Sequence, residues 1–450
     1  MGKRRSPAEE AEALRVSETI DDELRREREA VRRKRGKQLK VLLLGQAESG
    51  KSTLQKQFQL YYSSATLEQE RPSWRPIVYF NILKAIRMIL DELDWEYSLS
   101  PTSPSPAASH SGSPSPTSPS APLPPLQLAA LRHKLLPLVA SEDALAAELS
   151  GGVTLARGRQ GVFVRSGWQA LTSAHRQWPL AEDYYASRAL PGHGGRQTAV
   201  TGIVATTLAA SAEEVDALWW HPAVQALLKG NKLKLEEYAA FFLANIRRIA
   251  QPEYLPTNED ILHVRLQTIG VTEHAFDINL GGTNYSWNLY DVGGAVRPFR
   301  HAWVPFFDDA TAIIFLAPIS AFDQYLEEDP RTNRIDDSLQ LFTAICANKL
   351  LSSAALVLML NKTDLLRQKL EAGIKVRKYI SSYGDRPNSY EEVSEYFRAH
   401  FIQVHKRKDV SHRPLYLHYT SMLDIKATQS IIVNVGEAIM RSHLTKIGLA

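Results

Sequence analysis

The sequence predicts an α/β protein with a mostly parallel sheet, interrupted by an inserted all-α domain and preceded by an amphipathic helix. A continuous apolar run at 41–44, and later runs of similar length and character at 287–290, 311–316 and 356–360, read as strands covered on both faces. Helix-like stretches separate the later runs, which is the alternation of a parallel sheet. Between about 60 and 259 no such run dominates, and apolar residues recur at helical spacing instead.

In chain order, residues 1–37 form the first element, where Ile20, Leu24 and Val31 recur at helical spacing among charges. The α/β domain is expected over 38–61 and 259–450, with its first strand at 41–44. The insertion is expected over 62–258. Within it Val78, Ile82, Ile86, Ile89 and Leu93 mark one helix, and Tyr238, Phe241, Phe242 and Ile246 another. The stretch 98–125 is nearly all Ser, Pro and Ala, too poor in large apolar groups to offset its ordering entropy, so disorder is expected there. The region 150–213, rich in Gly, Arg and small residues, has no readable period. Ile431, Ile432, Val435, Ile439, Leu444, Ile447 and Leu449 predict a closing helix with an apolar tip.

With 450 residues and 44% apolar types the chain is long enough for two or three domains. Its apolar runs fall far below the roughly 20 residues that a bilayer span requires. Cys346 is the one cysteine, which excludes an internal disulfide framework and Cys-based zinc sites and points to a reducing compartment. The net charge of +4 is matched by residues 1–40, with 13 Lys or Arg against 9 Asp or Glu. So local a basic excess suits an anionic membrane surface or an acidic partner, and nucleic acid is not expected.

The strongest motif is Gly45-Gln46-Ala47-Glu48-Ser49-Gly50-Lys51-Ser52-Thr53, a G-x-x-x-x-G-K-[ST] loop directly after a strand and before a helix. Backbone N–H groups turned inward at a helix start bind phosphate, Lys51 adds charge, and Ser52 offers a hydroxyl to Mg²⁺. Asn361-Lys362-Thr363-Asp364 follows the apolar run 356–360, where a parallel sheet places ligand sites. The Asp364 carboxylate can accept two N–H bonds from guanine, which favours GTP and GDP over ATP. An unrelated P-loop ATPase or kinase conflicts with that tetrapeptide. Asp291-Val292-Gly293-Gly294 also ends a strand run. Its Asp291 can hold a water of the Mg²⁺ shell while the Gly294 N–H faces the γ-phosphate.

Together these residues resemble the α subunits of heterotrimeric G proteins, whose Ras-like P-loop GTPase domain carries an inserted helical domain. The resemblance spans most of the chain. The segment 260–270 looks like the family's first switch, which places Arg265 at the built-in arginine finger, Thr268 at a Mg²⁺ ligand and Leu262 beside the nucleotide. The segment 249–257 matches the stretch before it, and Asn333-Arg334 with 342–348 looks like the helix preceding the Asn361 tetrapeptide. His418-Tyr419-Thr420, Asp424 and Lys426 mark the last base-contacting loop. The family implies GTP/GDP as ligand, Mg²⁺ as cofactor, and a βγ dimer, a G-protein-coupled receptor engaged through the C-terminal helix, and an effector as partners.

Several positions depart from the family. Ala295 stands where a Gln orients the attacking water, and its methyl has no donor or acceptor, so hydrolysis should be slow. Ala47 replaces a Gly in the loop and adds a methyl beside the reacting groups. The following 296–299 fits the second switch only with about one inserted residue. Met422 stands where a small Ala approaches guanine, and Glu237 and Tyr238 replace a short acidic-hydroxyl pair. The family's ribosylatable Cys is Ile447 here. Residues 1–6 match the M-G-x-x-x-[ST] pattern for myristate on Gly2, and Lys3, Arg4 and Arg5 add an electrostatic signal. Lys3 occupies the place of a palmitoylated Cys. The expectation is a slow, Mg²⁺-dependent GTPase switch at the cytoplasmic face of the plasma membrane. The alternative is a GTP-binding signalling module without turnover.

Overall fold

The computed structural model describes residues 25–26, 37–99, 125–150, 163–164, 194–230, 232–233, 235, 237–265, 267–268, 271–280, 283–292, 307, 309–326 and 328–446. The chain divides into two compact units, one from 1–63 with 270–450 and the other from 64–269. Of the expected N-terminal element only Arg25 and Arg26, which are helical and exposed, and Lys37, which lies in a turn, are described.

The first unit opens with β1 (Gln38–Gly45) and α1 (Lys51–Tyr62). The chain then enters the second unit with α2 (Ser64–Glu70) and the 25-residue α3 (Arg75–Leu99). There follow α4 (Pro125–Ala140), α5 (Glu142–Ser150), the two-residue β2 (Phe163–Val164) and α6 (Gly194–Ala210). Next come α7 (Ala212–Trp219), α8 (Pro222–Lys229), α9 (Glu237–Ala244), α10 (Ile246–Ile249), α11 (Asn258–His263) and β3 (Gln267–Thr268). The first unit resumes with β4 (Val271–Leu280), β5 (Thr283–Val292), β6 (Ala312–Pro318) and α12 (Arg334–Ala347). It closes with β7 (Ala355–Asn361), α13 (Thr363–Glu371), α14 (Tyr390–Lys408), β8 (Leu415–Thr420) and α15 (Ile425–Lys446).

The first unit is built on a six-stranded sheet in the order β4-β5-β1-β6-β7-β8. Only β4 runs antiparallel to its neighbour. Register places Leu42 beside Tyr290 on one side and Ile313 on the other. Alternation along β1 explains its unbroken apolar run. Leu42 and Leu44 join Phe315, Phe342 and Phe401 on one face, while Val41 and Leu43 join Phe58, Trp287, Ile432 and Val435 on the other. Helices α12 and α14 thus cover one face, and α1 and α15 the other.

Two strands lie beyond the four expected. Along β4 exposed or half-buried residues such as Glu273 and Asp277 alternate with Phe276 and Ile278, because an antiparallel edge strand faces solvent on one side. In β8 five of the six residues are only half-buried, so no continuous apolar run marks it.

In the second unit α3 supplies the central apolar stripe, with Val78, Ile82, Ile86 and Ile89 inaccessible, and it packs against α4, α5 and α9. The single helix expected around 238–246 is two, separated at Asn245, whose φ of −102° and ψ of 14° leave the helical region. Residues 98–99 close α3 and Pro125 opens α4, while 100–124 lies outside the described residues. Most of 150–213 is likewise outside them, but β2 pairs in parallel with β3, Phe163 opposite Gln267. The expected closing helix is α15, with Ile432, Val435 and Ile439 inaccessible; Ile447 and Leu449 are outside the described residues.

Candidate functional site

The carboxyl ends of the parallel strands bring the motif residues of the first unit together. Gly45 ends β1 with φ +148°, and a Cβ there would run into the Leu316 carbonyl of the neighbouring β6. Gly50 caps α1 with φ +101°, and a Cβ there would run into the Asn361 side-chain amide. Neither position accepts a side chain, and Glu48 between them is held at φ +61°.

Lys51, 7% exposed, donates from Nζ to the carbonyls of Gly45 at 3.0 Å and Gln46 at 2.7 Å, so the ammonium lies over the start of its own loop. Arg334, from the first residue of α12, donates to Glu48 Oε2 at 2.9 Å and to the Ala47 carbonyl. That clamp holds the strained Glu48. Gln46 donates from Nε2 to Asp337 Oδ2 at 2.5 Å, both side chains being buried.

Ser52 Oγ donates to Asp291 Oδ2 at 2.6 Å, with Asp291 buried at the end of β5. A hydroxyl and a carboxylate this close are hard oxygen donors of the kind Mg²⁺ takes, with waters and phosphate oxygens completing its shell. The donor set therefore fits Mg²⁺. One turn along α1, Lys56 is buried, and desolvation lowers its pKa to about 7 against the opposing pull of Asp291.

Asn361, 1% exposed, staples three elements. Its Nδ2 donates to the Ser49 carbonyl at 2.7 Å and its Oδ1 accepts from Thr420 Oγ1 at 3.0 Å, linking the loop, β7 and β8. Thr363 Oγ1 donates to the Thr420 carbonyl at 3.2 Å. Lys362 caps α13 with φ +65°, and Asp364 follows in the first turn, half-buried. Met422 is buried in the core against α1 and α15, and its carbonyl accepts from Gln57 Nε2 at 2.8 Å. Thr53 is half-buried in the first turn of α1.

The remaining candidates belong to the second unit. Leu262 is buried in α11, and Tyr238 packs 6.4 Å from the Phe242 ring. Helix α11 starts with a capping box between Thr257 and Asp260. The Asp260 carboxylate is inaccessible. It accepts from Arg248 Nη1 and Nη2 at 2.8 and 2.6 Å, from Tyr254 OH at 2.9 Å and from the Thr257 N–H at 2.8 Å. Burial pushes its pKa up, but these hydrogen bonds outweigh it and hold the carboxyl below its ordinary value. Two residues past α11, Arg265 is half-buried and its backbone is bonded to Asn81 of α3. Thr268 lies in β3. Glu237 opens α9, while Gly2, Gly294 and Ala295 lie outside the described residues, as does the whole stretch 293–306.

Asp337 and Asn81 were not singled out in the sequence. Their partners, Gln46 and Arg265, lie 291 and 184 residues away, so no local pattern announces them.

Comparison with known proteins adds an independent line. A family model described as "G-protein alpha subunit" matches residues 14–439. The guanine nucleotide-binding protein alpha-4 subunit of Mycosarcoma maydis is 34% identical over 495 aligned residues, covering 92% of this chain and 84% of its own. The alpha-1 subunit of the same organism is 29% identical, covering 96% of each chain. Subunit alpha-13 of Mus musculus is 28% identical, covering 98% of this chain and 94% of its own.

Proposed function

The chain belongs to the G-protein alpha subunit family, whose members are guanine-nucleotide-binding GTPases of signal transduction, and from that premise we propose that it is a slow, Mg²⁺-dependent GTP switch. The observation that carries the proposal is the convergence at the carboxyl end of the sheet. The Gly45–Thr53 loop, the Ser52–Asp291 pair and the Asn361 staple before Asp364 meet at the carboxyl ends of β1, β5 and β7.

In this reading the loop N–H groups and Lys51 bind the β- and γ-phosphates, and Lys51 leaves its loop carbonyls to do so. Ser52, Thr268 and, through water, Asp291 would hold Mg²⁺, which when bound would supply positive charge to the phosphate oxygens. Asp364 reads guanine, with Asn361 and Lys362 shaping its loop and Met422 lining the base. Arg265 stabilises the transferring phosphoryl group, a contribution of about 10³ to 10⁵ in rate for an arginine finger. To Gly294 we assign an N–H contact with the γ-phosphate. At Ala295 no side chain orients the attacking water, which makes turnover slow and favours the GTP-bound state.

The family works with βγ and receptor partners, and we assign receptor contact to α15 and its continuation. Residues 38–61 with 259–450 act as the GTPase domain and 62–258 as the helical domain. Among the described residues no helix is long and apolar enough to cross a membrane, and attachment is assigned to myristate on Gly2 with Lys3, Arg4 and Arg5. A Gly2→Ala variant should leave the membrane fraction. One that fractionates unchanged removes myristate from the account.

Ala295 and Ala47 also favour a second reading, a GTP-binding module with no turnover whose output follows exchange or abundance. Competition for bound GTP separates both from an ATPase. GTP and GDP should displace it with Mg²⁺ present and ATP should not, and equal displacement by ATP defeats both.

A further inference from the structure

The Arg265 backbone is held by a single buried side chain of the helical unit. The Arg265 N–H donates to Asn81 Oδ1 at 2.8 Å, and Asn81 Nδ2 donates back to the Arg265 carbonyl at 3.3 Å. One carboxamide therefore takes both hydrogen-bonding groups of one residue, as a neighbouring strand would. Asn81 is 1% exposed and sits on α3 between the inaccessible Val78, Ile82 and Ala85. A carboxamide in such apolar surroundings is tolerated only when its donors and acceptor are used. Here it spends them on a residue 184 positions away.

From the other side, the segment is pinned by α11. The Val264 N–H closes that helix on the Asp260 carbonyl at 3.0 Å, while the Asp260 carboxylate is fixed by Arg248, Tyr254 and Thr257. The His263 ring stacks on Phe241 of α9 at 3.6 Å. Arg265 thus leaves a rigid one-turn helix and is gripped at once by Asn81. Both polar groups of its backbone are thereby satisfied by one carboxamide.

We infer that Asn81 is a positioning residue for Arg265, through which helix α3 of the helical unit sets the geometry of phosphoryl transfer. The inference rests on the reading of Arg265 as the arginine finger. A finger acts through placement, and a displacement of about 1 Å can cost on the order of 10²-fold in rate. Loss of the carboxamide should therefore slow hydrolysis without weakening the phosphate loop, which Asn81 does not build.

The test is single-turnover hydrolysis of preloaded GTP with Mg²⁺, in the full chain and in an Ala295→Gln background. Asn81→Ala, Asn81→Asp, Arg265→Ala and the Asn81→Ala/Arg265→Ala double variant are compared, each with its GTP affinity. Asn81→Ala should be slower by about 10- to 10²-fold with GTP affinity unchanged, and the double variant no slower than Arg265→Ala alone. Asn81→Asp keeps the acceptor of the shorter bond and should recover most of the rate. Hydrogen exchange of the peptide containing Arg265 should be faster in Asn81→Ala, a readout that needs no turnover. If Arg265→Ala is slow while Asn81→Ala keeps the parental rate, the positioning role is wrong and the finger stands. If Arg265→Ala is itself as fast as the parent, the finger reading fails and the inference with it. Unchanged exchange around Arg265, or loss of GTP affinity in both Asn81 variants alike, also overturns it.

Discussion

The Gly45–Thr53 loop of the sheet unit and the Arg265 segment of the helical unit are both fixed by buried polar contacts, but the contacts differ in kind. The loop is shaped largely by its own backbone. Gly45 and Gly50 take positive φ where no Cβ fits, and Lys51 folds onto the carbonyls of Gly45 and Gln46. The Arg265 segment is shaped from outside, by the Asp260 carboxylate with its donors and by the Asn81 carboxamide. A loop made by local conformation leaves a mark in nine consecutive residues. Arg265 is marked in the sequence only by resemblance, because the Asn81 carboxamide that grips it lies 184 residues away, so the two segments differ in how far local pattern discloses them.

The largest expected effect falls on the segment held from outside. In an Ala295→Gln background Arg265→Ala should lower single-turnover GTP hydrolysis by about 10³-fold or more while GTP still binds. A smaller loss would mean that the segment matters for folding rather than chemistry. In the loop, Lys51→Ala should weaken GTP binding by about 10³-fold, since removing one partner of a buried charged contact costs roughly 2–5 kcal/mol. Titration with a fluorescent GTP analogue checks this, and an unchanged affinity would deny that Lys51 leaves its loop carbonyls for phosphate.

Asp260→Asn sharpens the contrast from the stability side. It removes a charge that meets two Arg248 nitrogens, and Arg248 is 42% exposed. The full cost of breaking a buried pair, roughly 3–5 kcal/mol, is therefore discounted by solvent screening to about 2 kcal/mol. Thermal melting of the helical unit reads it, and a loss of GTP affinity of the same size would show that the damage is not confined to that unit.

The smallest effect is its pH dependence. The folded Asp260 carboxyl titrates below its ordinary value, so the unfolded chain takes up the proton first as pH falls. This group's stability is complete above the unfolded value near 3.8 and is lost as pH falls through the lower folded value. The acid limb of the melting curve should therefore flatten in Asp260→Asn, and an identical limb in both proteins would remove Asp260 from the account.

The sequence discloses those parts of the fold whose determinants are close in the chain. The β1, β6 and β7 runs are apolar on both faces because helices cover both, and α3 shows its stripe through Val78, Ile82, Ile86 and Ile89, although residues 76–86 are buried on every side. The edge strands β4 and β8 are hidden for the converse reason, since half-solvated strands mix Glu273, Asp277 and His418 with apolar residues. Asn333-Arg334 was legible as a motif, but not that Arg334 would hold Glu48 in its strained conformation. The Gln46–Asp337 and Asn81–Arg265 contacts depend on how helices dock, and docking is settled by the whole core.

The central claim is that this is a GTP switch whose turnover is slow because position 295 lacks a side chain that orients water. Single-turnover hydrolysis of preloaded GTP with Mg²⁺, in the parent and in Ala295→Gln, tests it most directly. The account predicts a slow parent and a gain of about 10²-fold in Ala295→Gln, lost again when Arg265→Ala is added. A parent that turns over as fast as Ala295→Gln would contradict it.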